Sequence, residues 1–359
     1  MLNKTFKNKK ILIFGNTGFK GSWLTIALLN LGAEIYGVSI NIPTSPSLFK
    51  VTNLKKKIKF IQSDIRNKKK VKSIVDKIQP DFIFHLAAQS IVLNSILDPT
   101  FTFETNSIGT MNILDALRNY NKKIAVVIVT SDKCYENIEK KAPYKESDRL
   151  GGKDPYSASK ACAEIIFKSY VDSFFSQKKN IKISTARAGN VIGGGDWSKF
   201  RLVPDCMVSA YKKRKIKVRS PNSTRPWQHV LEPLFGYLLL AEQLYKNIEK
   251  ANNNSFNFGP DKFSNITVKN LIDKMTLQWG DINPIYFYNH KSIESNLLQL
   301  DTAKAKKLLG WHSILNLNLT IKYTVDWYKF FYKHKNNAIY EFTVGQINEY
   351  LKLFQKKSN

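Results

Sequence analysis

Short apolar runs recur along the first half of the chain, each followed by a longer stretch in which apolar positions return every three or four residues. The runs are Lys10–Phe14, Ala33–Val38, Ile58–Ile61, Asp81–Phe84, Ile124–Val129 and Ile181–Ala186. Their near-continuous apolarity predicts buried strands. Helical stretches lie between them. One runs from the turn after Phe14 to about Leu31, one covers 68–78, one is headed by Asn106 and reaches about Tyr120, and one runs from Pro155 to about Phe175. Pro155 suits a first helical turn. The β-α-β rhythm predicts an α/β fold of Rossmann type: a doubly wound parallel sheet with ligands at its carboxyl edge. After residue 187 the rhythm breaks. Arg187–Trp197 is a Gly-rich loop, whereas a helix from about Glu232 to Lys246 and the short strand Phe256–Gly259 return to the first domain. The first domain is therefore expected over 1–187, completed by about 226–260. Residues 188–225 and 261–359 are expected to form mainly a smaller mixed α/β domain.

Composition narrows the class. The chain has 359 residues, 43% of them hydrophobic, enough for a sizeable core and against global disorder. Lys and Arg number 56 against 28 Asp and Glu, a formal net charge of +28. Most of the excess is Lys in small groups such as Lys55-Lys56-Lys57, in a chain also rich in Asn and Ile. That reads as solvated charge with a bias towards anionic ligands such as nucleotide diphosphates. No recognition motif accompanies it, so no nucleic-acid partner is expected. Cys134, Cys162 and Cys206 are odd in number and widely spaced, which fits neither a disulfide framework nor a zinc site and suits a reducing cytosol. Ile11–Phe14 is too short for a signal-peptide core, and no apolar run approaches the ~18 residues of a membrane span. A cytoplasmic protein with no metal and no membrane partner is expected.

Candidate chemistry collects just past the strand ends. Gly15, Gly18 and Gly21 follow the first strand and open the first helix, the arrangement that cradles a dinucleotide pyrophosphate on backbone N–H groups. The second strand ends Ser39-Ile40-Asn41, so Ser39 or Asn41 would hydrogen-bond a ribose without the carboxylate that excludes a 2′-phosphate. Asp64 would accept from an adenine amino group or cap the helix over 68–78. Small residues in Leu86-Ala87-Ala88-Gln89 would let a ribose pack on backbone, His85 reads as a packed residue, and Asn106 reads as a possible cap. The fifth strand runs into Thr130-Ser131-Asp132-Lys133-Cys134-Tyr135, releasing a hydroxyl, a carboxylate and an amine together. Tyr156 and Lys160 lie four apart on one helical face, where an ammonium would favour phenolate and make Tyr156 a base for a sugar hydroxyl. Arg201, Arg219 and Arg225 are spaced as diphosphate ligands would be.

These motifs resemble an extended short-chain dehydrogenase/reductase, over nearly the whole chain, and within that family the nucleotide-sugar 4,6-dehydratases. The specific pieces are Thr17-Gly18-Phe19-Lys20-Gly21-Ser22-Trp23, Ser131-Asp132-Lys133, Asp154-Pro155-Tyr156-Ser157, Arg187–Trp197 and Arg225–Pro233. A Lys at 133, where dTDP-glucose dehydratases carry Glu, resembles the branch acting on CDP-glucose. The resemblance implies NAD as cofactor, CDP-glucose or a related nucleotide sugar as substrate, assembly as a homodimer or homotetramer, and a deoxysugar for a cell-surface polysaccharide as destination. It implies that Tyr156, Ser131 and Lys160 serve oxidation at C4, that Lys133 removes the C5 proton, and that Asp132 protonates the departing C6 hydroxyl. Lys133 would have to be neutral for this. Gly15, Thr17, Gly18, Phe19, Lys20, Gly21, Asn41, Asp64, Ile65, Ala87, Ala88, Gln89 and Asn106 would hold the cofactor. Gln89, Asn190, Arg201, Arg219, Arg225 and His229 would hold the substrate. The rival readings are another nucleotide-sugar epimerase or dehydratase and a non-catalytic NAD-binding regulator.

Overall fold

The computed structural model describes residues 2–218, 220–260, 265–287, 298–334 and 338–358. Seven strands form one sheet: β1 (Lys10–Phe14), β2 (Glu34–Ser39), β3 (Lys59–Gln62), β4 (Phe82–His85), β5 (Ile124–Val129), β6 (Ile181–Ala188) and β7 (Ser255–Phe258). Their order is β7-β6-β5-β4-β1-β2-β3, and every pairing is parallel. The expected doubly wound parallel sheet is present. Successive residues of a strand point to opposite faces, so Ile11 and Ile13 enter one core while Leu12 and Phe14 enter the other. Two buried faces account for the unbroken apolar runs. The strand order reverses between β1 and β4, and the loops that leave these two strands part there, opening a crevice at the carboxyl edge.

Helix α1 (Phe19–Asn30) follows β1, α2 (Pro155–Tyr170) follows the loop after β5, and α3 (Leu231–Tyr245) is buried along most of its length. Near the C-terminus, α4 (Leu317–Lys333) and α5 (Ala338–Ser358) pack on the first core. The Gly-rich loop after β6 is gripped from two sides. Trp23 Nε1 of α1 donates to the Gly194 carbonyl at 2.9 Å, and the Tyr328 hydroxyl of α4 donates to the Asp196 carbonyl.

Two local expectations change. Asn106 heads nothing. The helix starts at Pro99 with Asp98 as its cap, passes through a π-helical turn at Glu104–Ile108 and continues over Gly109–Ala116, with Asn106 buried inside it. Asp64 does not cap the helix Lys68–Ile78 either, because the Asn67 side chain accepts from Lys70 N.

Glu232, in the first turn of α3, ties distant segments together. Its carboxylate accepts from Ile314 N at 3.0 Å, Leu315 N at 2.6 Å and the Tyr350 hydroxyl of α5 at 2.9 Å. Burial pushes this carboxyl up to about 7 despite those bonds. A carboxyl raised in the folded state binds more protons there than in the unfolded chain. Stability therefore falls as pH rises from about 4.5 to about 7, by about 3 kcal/mol, and is level above that. Glu232→Gln keeps an acceptor oxygen and should remove this slope from the unfolding free energy measured against pH. An unchanged slope would place the titration elsewhere.

Candidate active site

The turn after β1 is closed by glycines. Gly15 has φ +89°, and a Cβ there would stand 2.5 Å from Ala87 N; a Cβ on Gly21 would stand 2.0 Å from the Gly15 carbonyl oxygen. The turn thus seats directly on the loop after β4. Gly18, the N-cap of α1, offers no side-chain acceptor to the first-turn N–H groups. Those donors favour an external anion, so these residues fit a dinucleotide pyrophosphate. Gly21→Ala should cost about 1–3 kcal/mol by overpacking, read as a lower melting temperature. A variant of parental stability would mean that the turn is looser than this contact requires.

The edge of β2 narrows the ribose candidates. Ser39 is buried; its hydroxyl donates to Asn16 Oδ1 at 2.9 Å and accepts from Thr17 N at 3.3 Å. Ser39 is thereby occupied within the protein. Asn41 keeps an exposed side chain, while its carbonyl accepts from the Thr17 hydroxyl at 2.7 Å. Arg66 bonds both oxygens of Asp64. Burial alone would raise this carboxyl, but the Arg66 contacts outweigh it and hold the group below its ordinary value. Ile65 is buried beside Gly109. On the β4 side, Asn106 Oδ1 accepts from Gln89 N at 2.8 Å, and its Nδ2 donates to the Gln89 carbonyl and to Ser159 Oγ, both at 2.9 Å. Asn106 therefore joins the Ala87-Ala88-Gln89 loop to α2. His85 is packed as expected, with Nε2 at 3.0 Å from Thr110 Oγ1, and burial pushes its imidazole down to about 3.

At the end of β5, Ser131 is extended and begins a single 3-10 turn, Asp132–Cys134. Its hydroxyl donates to Asp132 Oδ1 at 2.9 Å and accepts from Lys133 N at 3.2 Å. Helix α2, capped by Asp154, brings Tyr156 and Lys160 across from this turn. The Ser131 hydroxyl lies near enough to the Tyr156 phenol to pull it down, against the effect of burial. Ser131, Asp132, Tyr156 and Lys160 are all buried. The expected lowering of the phenol by Lys160 is not the outcome in the protein alone. Burial is the larger effect and pushes Tyr156 up to about 12. Lys160 donates to the Val129 carbonyl at 3.5 Å, and burial pushes its ammonium down to about 8 against the pull of Glu164.

Other predicted residues divide. Lys20 faces the same site: burial and the nearby Arg201 push it down to about 8, with Asp132 pulling the other way. Arg201 pairs with Asp196 at 3.0 Å and reaches Ser90 Oγ at 3.4 Å. Asn190 emerges beside the acid, since a Cβ on its neighbour Gly189 would stand 2.5 Å from Asp132 Oδ2. Arg225 lies on a two-stranded ribbon, Thr224–Pro226 against Asn265–Thr267, and donates to the Thr224 carbonyl at 2.8 Å. Arg219 lies outside the described residues. His229 is not available to a substrate. It is fully buried, edge-on to Trp23 and Tyr323, and burial pushes it down to about 3.

Three residues escaped the sequence reading. Glu164 and Arg187 form a buried ion pair at 2.7 Å behind the site, and Glu164 also accepts from Thr130, the residue before Ser131. The spacing Tyr156, Lys160, Glu164 carries the same four-residue period and would have pointed to Glu164. Tyr237 of α3 lies close enough to Asp132 and Tyr156 for their charges to act on its buried hydroxyl. A tyrosine inside an apolar helix carries no sequence mark of that.

A parallel doubly wound sheet with a glycine cradle under its first helix and a serine–tyrosine–lysine cluster at its carboxyl edge defines a Rossmann-type enzyme of the short-chain dehydrogenase/reductase class. A sequence model of the GDP-mannose 4,6 dehydratase family matches residues 12–324, and the chain belongs to that family. It is 40% identical over 336 residues to the CDP-glucose 4,6-dehydratase of Salmonella typhimurium, covering 92% of this chain and 93% of that one. Identity to a probable dTDP-glucose 4,6-dehydratase of Sinorhizobium fredii is 25%, covering 89% and 92%. Two solved structures share the fold. UDP-glucose 4-epimerase of Thermotoga maritima with UDP-glucose has a TM-score of 0.77 at 24% identity, covering 89% and 98%. The dTDP-glucose 4,6-dehydratase of Streptomyces venezuelae with NAD and TYD has a TM-score of 0.77 at 20% identity, covering 90% and 98%.

Proposed function

We propose that the protein is an NAD-dependent CDP-glucose 4,6-dehydratase, converting CDP-D-glucose to CDP-4-dehydro-6-deoxy-D-glucose. One observation carries the reading. Ser131 bonds Asp132 Oδ1, and both residues lie near enough to act on the buried Tyr156 phenol, so a base for the C4 hydroxyl and an acid for the C6 hydroxyl share one site. The long 40% identity to the Salmonella dehydratase favours the CDP-sugar.

Gly15, Thr17, Gly18, Phe19, Lys20 and Gly21 hold the pyrophosphate, Asn41 a ribose, Asp64 and Ile65 the adenine, and Ala87, Ala88, Gln89 and Asn106 the other end. Bound there, NAD supplies the acceptor for hydride from C4 and its donor to C6. Tyr156 takes the C4 hydroxyl proton, with Ser131 on the same oxygen and Lys160 supplying the positive charge that lowers the phenol when the site is filled. Lys133 removes the C5 proton, which the C4 ketone has acidified, and Asp132 protonates the departing C6 hydroxyl. Asn190, Arg201, Arg219 and Arg225 grip the nucleotide, with Arg225 on the diphosphate. Residues 1–187 and about 226–260 hold the cofactor, and 188–225 and 261–359 mainly the substrate.

Purified protein incubated with CDP-, dTDP-, UDP- and GDP-glucose should form a 4-keto product, read by absorbance in alkali, with CDP-glucose preferred and one water lost by mass. A 4-epimerase reading is supported by the Thermotoga likeness but has no use for Asp132 and Lys133. An epimer of unchanged mass would replace the dehydratase reading.

The enzyme works in the cytoplasm as a homodimer or homotetramer. Ile96 and Leu97, Ile108 and Ile165 are exposed on neighbouring helical segments, and Leu97 is 83% exposed. An apolar cluster of that kind marks a contact surface. Leu97→Lys with Ile165→Glu should shift the mass seen by light scattering towards the monomer. A monomeric parent would refute the assembly.

A further inference from the structure

We propose that the buried Glu164–Arg187 pair is a positioning clamp. It grips the turn Ser131–Cys134 at both ends and so fixes the acid and base of that turn against Tyr156 and Lys160 of α2. Its consequence for turnover rests on the dehydratase reading above.

Each grip is a direct hydrogen bond. Glu164 lies four residues beyond Lys160, on the same face of α2. Its Oε1 accepts from the Thr130 hydroxyl at 2.5 Å. Its Oε2 accepts from Arg187 Nη2 at 2.7 Å, Thr185 Oγ1 at 2.9 Å and Ser255 Oγ at 3.1 Å. Arg187, on β6, reaches the far end of the turn. Its Nη1 donates to the Tyr135 hydroxyl at 2.8 Å, and that hydroxyl donates to Asn257 Oδ1 of β7 at 2.7 Å. Thr130 immediately precedes Ser131, and Tyr135 immediately follows Cys134. One ion pair thus holds both ends of the turn, and its carboxylate belongs to the helix that carries Tyr156 and Lys160.

Stability alone does not account for the pair. Thr130, Tyr135, Glu164 and Arg187 are all buried. A buried ion pair often gains no more than an apolar pair of the same volume, since both charges give up water. Burial would raise the Glu164 carboxyl, but Arg187 and the hydroxyl donors outweigh it and hold the group below its ordinary value. What such directional bonds add over apolar contact is a defined geometry. The bonds from Ser131 to Asp132 Oδ1 and from Lys133 N to Ser131 lie inside the turn and set its shape. Its place against α2 is set by the residues that flank it. Against the pair lies a cavity of about 630 Å³, lined by Glu164, Phe167, Arg187 and Lys304 among others. Tight packing from that side therefore does not hold the turn, and the hydrogen bonds must.

The test uses Thr130→Val and Tyr135→Phe. Each removes one grip, keeps the side-chain volume and leaves the ion pair in place, and phenylalanine keeps the ring that stacks on Tyr144. Each should lower kcat for 4-keto product by about 10–100-fold, the scale expected when reacting groups drift by about 1 Å. The KM for CDP-glucose should stay parental, because the residues proposed to grip the nucleotide lie after β6. Thr130→Ser restores the hydroxyl and should return kcat to near the parental value. A parental kcat in both folded variants, or the same loss in Thr130→Ser as in Thr130→Val, overturns the clamp. Should Thr130→Val fail to fold, Tyr135→Phe decides by the same kcat and KM readout. If the parent forms no 4-keto product from any of the four sugar nucleotides, the dehydratase reading itself has failed, and crystal structures of the parent and the variants judge the clamp. A shift of Ser131–Lys133 relative to α2 then supports it, and superposition overturns it.

Discussion

Tyr156→Phe is expected to lower kcat for 4-keto product by about 10³-fold, inside the roughly 10²–10⁴ range for removal of a general base, while the protein stays folded. The phenyl ring keeps the volume of a side chain only 9% exposed. What is lost is the buried hydroxyl beside Ser131, a stability change of about 1 kcal/mol. Catalysis loses much more, since the phenol is the proposed base for the C4 hydroxyl. The sign of the pH dependence follows from the raised phenol. Tyr156 acts as phenolate, so parental activity should climb as pH rises, and the Phe variant should lose that climb. Product formation within tenfold of the parent, in a variant of parental melting temperature, would remove Tyr156 from the reaction.

Lys133→Met should abolish exchange of the C5 hydrogen with solvent, by about 10²–10⁴-fold, and with it the loss of water. The Lys133 ammonium is half-buried and makes no hydrogen bond or ion pair among the described residues. Methionine preserves the apolar stem, so little stability should change. Deuterium uptake at C5, followed by mass spectrometry in D2O, reads this step apart from C4 oxidation. Uptake at the parental rate would show that a different base serves C5.

These two residues were visible in the sequence because they sit where a strand stops and where a helical period repeats. Val129 ends six consecutive buried positions, and the polar residues after it must leave the core together. Tyr156 and Lys160 keep a four-residue spacing that only a helix brings onto one face. The glycine turn was legible for the same reason, since each glycine lies between a marked strand and a marked helix. Asn106 was misread because an internal π-helical turn has no sequence signal that separates it from a cap. His229 was misread because its neighbours in sequence, Arg225 to Val230, are polar enough to suggest a surface, while its neighbours in space are Trp23 and Tyr323.

The amino-acid sequence by itself determined the strand and helix order, the parallel sheet and the carboxyl edge as the place of chemistry. These depend on local periodicity and on the fixed handedness of strand–helix–strand connections, which need no knowledge of distant contacts. Only the tertiary structure decided the electrical state of the site. Whether Lys160 or burial governs Tyr156 depends on which segments exclude water from it, and whether Arg187 is a ligand or a buried counter-ion depends on Glu164 lying opposite. Such effects arise between residues far apart in the chain, and desolvation, being a property of everything packed around a group, is not written in its immediate neighbours.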